Sequence, residues 1–90
     1  MPKIDLLRKI GEFEAVLSGV RGDTSDVLLL GRLLNSLETK IGAGARKDEL
    51  LLLLRQIDVA LENIDGDTSD VVAMGRLLAE IKAEIENGRY

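Results

Sequence analysis

A shift of 44 residues lays the sequence onto itself, and this self-match constrains the fold more than any other feature. Gly22-Asp23-Thr24-Ser25-Asp26-Val27 recurs as Gly66-Asp67-Thr68-Ser69-Asp70-Val71. Gly31-Arg32-Leu33-Leu34 recurs as Gly75-Arg76-Leu77-Leu78, and Lys3, Leu6, Leu7, Leu17, Ile41 and Gly44 find Lys47, Leu50, Leu51, Leu61, Ile85 and Gly88. Sixteen of 44 aligned positions are identical without a gap, too many for chance. The halves 1–44 and 45–88 therefore read as a duplication within one domain of residues 1–90. Whatever one half folds into, the other must follow.

Each half reads as two helices. In Leu6, Ile10, Phe13, Leu17 and Val20 the steps are alternately four and three, and Val27, Leu30, Leu34, Leu37 and Ile41 continue the rule. The second half repeats it in Leu50, Leu54, Ile57, Leu61 and Ile64, then in Val71, Met74, Leu78, Ile81 and Ile85. These are heptad seams, the pattern of helices packed about 20° from parallel or antiparallel. No stretch alternates with period two, so no strand is expected.

The turn chemistry points the same way. Gly22 and Gly66 suit the left-handed position that closes a helix, and Asp23 and Asp67 suit the cap of the next one. Asp26 and Asp70, three residues on, complete a capping-box-like pair and put negative charge at a positive helix end. So short a connection makes the two helices antiparallel neighbours. The joint Gly42-Ala43-Gly44-Ala45 reads as looser and as the plausible hinge. One hairpin leaves its apolar seams uncovered, so two must close on each other. The expected fold is all-α: a four-helix up-down-up-down bundle of two duplicated αα-hairpins, closed within one chain or swapped in a dimer.

Composition removes most chemistry. The chain lacks Cys and His and has one Pro, one Tyr, one Phe and no Trp. That excludes disulfides, zinc sites built on Cys or His, a Cys nucleophile and a His base. The net charge of −4 is the wrong sign for gripping phosphates, and few rings are present to stack on bases. Every seam position is apolar, so no inward carboxylates can hold the metals of a di-metal bundle. No enzyme, cofactor, metal or nucleic-acid partner is expected. The start, Met1–Ile10, lacks the apolar core of a signal peptide, and Leu50–Leu54 is far shorter than the roughly 20 residues that span a bilayer. A soluble cytoplasmic protein with no membrane contact is expected.

Local motifs yield to simpler readings. Asp65, Asp67, Ser69 and Asp70 resemble the start of a calcium loop, but its Gly and bidentate Glu positions hold Asp70 and Arg76. Arg21-Gly22-Asp23 spells an adhesion tripeptide, yet the other half has Asp65 in place of Arg21, so the shared Gly-Asp is a turn. Thr24-Ser25-Asp26 is a capping segment before it is a phosphorylation site. Gly31 and Gly75 should each cost about 1 kcal/mol inside a helix, and close approach of a neighbouring backbone is the expected reason. Gly11 is another, with Arg55 at its counterpart.

Apolar residues outside the seams carry the functional signal. With Val27 at heptad position a, Leu28 and Leu29 fall at b and c. With Leu54 at a, Leu52 and Val59 both fall at f, the outermost position. A monomeric bundle places polar residues there. Leu28, Leu29, Leu52 and Val59 are therefore the candidate partner interface, and a homo-oligomer, with a dimer favoured, or a protein partner is expected. Residues 1–44 are neutral and residues 45–90 carry the whole net charge of −4. The expected function is a non-enzymatic helical module for self-association or protein interaction. Two alternatives fit the residues: an engineered helical-repeat scaffold without a biological ligand, and an acidic inhibitor or adaptor docking on a basic surface.

Overall fold

The four seams become four helices in the computed structural model, which describes residues 2–20, 25–64 and 69–90. Helix α1 spans Pro2–Ser18, α2 Ser25–Gly42, α3 Lys47–Glu62 and α4 Ser69–Glu86. No strand occurs among the described residues. Acidic side chains occupy the first turn of each helix, among them Asp5, Asp26, Asp48 and Asp70, where they meet the positive end of the helix dipole. The turns expected at Gly22-Asp23 and Gly66-Asp67 lie outside the described residues, as does Arg21.

Among the described residues every buried hydrophobic one except Ala60 lies on one of the four seams, and no polar or charged residue is buried. Phe13, Leu37, Ile57 and Ile81 are among those fully removed from solvent. Each such side chain contributes about 1.5–3 kcal/mol relative to exposure. The outlying seam residues Val20, Val27, Ile64 and Val71 are only half-buried. The reason is position: Val20 and Ile64 follow the ends of α1 and α3, and Val27 and Val71 sit in the first turns of α2 and α4.

The helices pack into a compact globule of 33 × 20 × 16 Å. Each contacts two others: α1 lies against α2 and α4, and α3 against α2 and α4. Charged side chains tie helix ends together. Lys40 near the end of α2 reaches Glu49 near the start of α3 at 3.7 Å, and Lys47 at the start of α3 donates to the carbonyl of Glu86 at the end of α4 at 2.6 Å. No described helix is long and apolar enough to cross a membrane.

The joint after α2 is an ordered cap rather than the loose segment its glycines suggest. Gly44 N–H donates to Ile41 O at 3.2 Å, and Ala45 N–H donates to Lys40 O at 2.9 Å. Gly44 takes φ +76. This is the Schellman arrangement, which satisfies carbonyls that a helix end otherwise leaves open and needs a left-handed residue. Helix α4 ends identically: Gly88 N–H donates to Ile85 O at 3.0 Å, Arg89 N–H to Glu84 O at 2.8 Å, and Gly88 takes φ +75. The match of Gly44 with Gly88 in the self-alignment has this physical cause.

The helix-interior glycines do not behave as expected. A Cβ on Gly75 would meet nothing within 4 Å, and one on Gly31 would meet only the Leu17 side chain at 4.0 Å. No neighbouring backbone comes close enough to exclude a side chain. Both glycines stand beside the seam, and close packing is not their reason.

Candidate functional site

Heptad position dictates exposure on these helices, and the four candidate interface residues follow it. Leu28 is 63% exposed, Leu29 46%, Leu52 56% and Val59 54%. They do not form one patch around a single site. Leu29 and Val59 come together in a groove between α2 and α3 of about 390 Å³. Leu33 from α2 and Arg55, Gln56, Ala60 and Asn63 from α3 complete its lining. Leu28 and Leu52 do not line it. Leu52 stands two turns before Val59 on α3, about 10.5 Å away along the axis.

The groove arises from how α2 meets α3. Leu30 and Leu34 turn inward with Ile57 and Leu61, which leaves Leu33 and Ala60 at the line of contact and Leu29 and Val59 just outside it. The result is an apolar trough with amide and guanidinium groups at its edges and, among the described residues, no carboxylate in its lining. It offers contact area and no reactive group.

Ile4, 55% exposed, and Val72, 59% exposed, are further outward apolar residues that the sequence reading did not single out. The available signal was the heptad itself, because Ile4, Leu28 and Val72 all fall at position b. Val72 is also the counterpart of Leu28 under the 44-residue shift.

A second cleft, of about 470 Å³, runs between α3 and α4. Leu51, Leu54 and Leu78 line it together with Gly75, whose missing side chain widens it. Arg55 and Asp58 from α3 and Lys82 and Glu86 from α4 also line it, so its charges balance. It contains no pairing of a nucleophile with a base. Among the described residues no three acidic side chains converge as metal ligands.

The corresponding position between α1 and α2 holds two carboxylates. Glu14 hydrogen-bonds with Glu38, which pushes the Glu14 carboxyl up to about 7; partial burial and the neighbouring Glu38 charge add to the rise. Two carboxylates so close share a proton because both cannot ionise cheaply. Residues 44 positions on, Asp58 and Lys82, form an acid and a base instead.

The α1–α4 side carries the clearest ion pairs. Lys9 Nζ lies 3.4 Å from Glu84 Oε1 and 3.6 Å from Glu80 Oε1, and Arg89 Nη1 lies 4.0 Å from the same Glu84 oxygen. Lys9 and Glu84 are largely shielded from solvent, so this network is screened less than an exposed pair.

Compared with known proteins, the chain matches no family model, no curated protein and no solved structure.

Proposed function

We propose that this chain is a non-enzymatic helical association module: one domain built from two duplicated αα-hairpins in up-down-up-down order, pairing with a second copy of itself. The observation that carries the reading is the α2–α3 groove, where Leu29 and Val59 stay exposed in a trough whose described lining holds no carboxylate. Exposed apolar side chains gain nothing in water and contribute about 1.5–3 kcal/mol each when a partner covers them. Association must also offset lost rotational and translational freedom, so several such residues have to act together. Leu52 extends the apolar surface along α3. The bonds from Lys40 to Glu49 and from Lys47 to Glu86 support the alternating direction of the helices, because each joins the end of one helix to the start of another.

The test compares two pairs on one helix. Leu52→Glu with Val59→Lys should lower the mass in solution, read by light scattering, and leave the circular dichroism spectrum unchanged. Leu54 and Leu61 are buried on the seam, and the same charges placed there should melt the helices. An outer pair that alters neither mass nor fold would leave the groove as idle surface and remove the support for association.

A further inference from the structure

We propose that the α2–α3 groove is a self-complementary interface: two copies meet about a twofold axis at Val59, with Arg55 of each beside Glu62 of the other. The inference rests on the association reading and names its geometry. In an isologous interface, residue i of one copy meets residue j of the other, and j meets i. When two α3 helices cross antiparallel at Val59, residues before it on one copy face residues after it on the second. Arg55 stands four residues before Val59 and Glu62 three after, about 6 Å and 4.5 Å along the axis. Opposite charges thus straddle the crossing at nearly equal offsets, as a twofold axis requires.

Three observations favour a second copy as the occupant. Arg55 and Glu62 are both exposed, and no ion pair joins either of them to another described residue. Each is therefore available to a neighbour. Among the described residues the groove lining holds no carboxylate, whereas the chain as a whole carries a net charge of −4. Like charges oppose self-association, and the one carboxylate that the crossing brings in, Glu62, meets Arg55 of the other copy. Finally, Leu29 on α2 and Val59 on α3 line the same trough, so a second α3 laid along it covers both.

A charge exchange tests the geometry. In a dilution series followed by sedimentation equilibrium, Arg55→Glu alone and Glu62→Arg alone should each weaken the dimer about tenfold, since every change replaces two attractive pairs by repulsive ones. The double variant Arg55→Glu/Glu62→Arg restores both pairs and should return the dissociation constant to that of the parent. Circular dichroism confirms that each variant is folded. Single changes without effect, or a double variant as weak as the singles, would overturn the twofold arrangement while a dimeric parent leaves the association reading standing. A parent that stays monomeric at every concentration overturns both.

Discussion

The α2–α3 side and the α4–α1 side occupy matching places when the sequence is shifted by 44 residues, yet they are finished with different chemistry. On the first, Leu29 and Val59 line an open apolar groove, with Leu52 exposed farther along α3. Shifted by 44 residues, the same positions hold Ala73, Ala15 and Arg8 on the second. Leu53 becomes Lys9, which pairs with Glu80 and Glu84. The inward positions do not diverge in this way: Leu34 and Leu78, Leu17 and Leu61, and Ile41 and Ile85 are identical and buried. One architecture therefore accepts either surface. The apolar groove is not something the fold requires, and its residues need another explanation.

The largest effect expected is in the core that both sides share. Phe13→Ala should cost about 3–5 kcal/mol in urea unfolding, because it empties a fully buried position. Val59→Ala should cost far less, since the side chain is half exposed. Similar losses at the two positions would break the distinction between seam and surface.

The next largest effect comes from copying one side onto the other. Arg8→Leu, Ala15→Val and Ala73→Leu place the groove's residues on the α4–α1 side. With two sticky faces per chain, the mass in light scattering should rise above that of a dimer. An unchanged mass would show that these residues do not carry association.

Glycine gives a smaller effect of opposite sign at two sites. Gly75 lies mid-helix with open space around its missing side chain, so Gly75→Ala should stabilise by about 1 kcal/mol. Gly44 holds a left-handed cap, so Gly44→Ala should destabilise by about 1 kcal/mol. Thermal melts at one fixed protein concentration read both.

A pH effect is expected at the contact between α1 and α2. Glu14 is raised to about 7 by its hydrogen bond with Glu38. A raised folded-state value means the contribution is fully present below the ordinary carboxylate range, near pH 4.5, and is lost as pH rises through about 7. The melting temperature should therefore fall between pH 5 and 8, and Glu38→Gln should flatten that slope. An unchanged slope in Glu38→Gln would detach the effect from this pair.

Much of the architecture was legible in the residues because steps of three and four admit one face per helix, and that face became the core. The outward exposure of Leu28, Leu29, Leu52 and Val59 followed from the same count. Their grouping did not. The convergence of Leu29 with Val59 depends on which sides of α2 and α3 touch, and that is fixed by packing between helices. The Glu14–Glu38 contact was hidden for the same reason, although both residues stand one step past a seam position. Gly-Ala-Gly-Ala reads as loose from composition, whereas the structure uses only Gly44 for a left-handed cap; its repeat at Gly88 was the available clue. Gly75 misled in the opposite direction, because a glycine inside a helix can mean close packing or open space, and only coordinates separate them.

If the α2–α3 groove joins two copies, the mass of the unaltered protein in solution must show it. One chain weighs 9.8 kDa. Light scattering over a rising concentration series should approach twice that value, and Leu29→Glu with Val59→Lys should return it to a single chain with helicity intact. A mass of one chain at every concentration, or a dimer untouched by that pair of changes, would contradict the account.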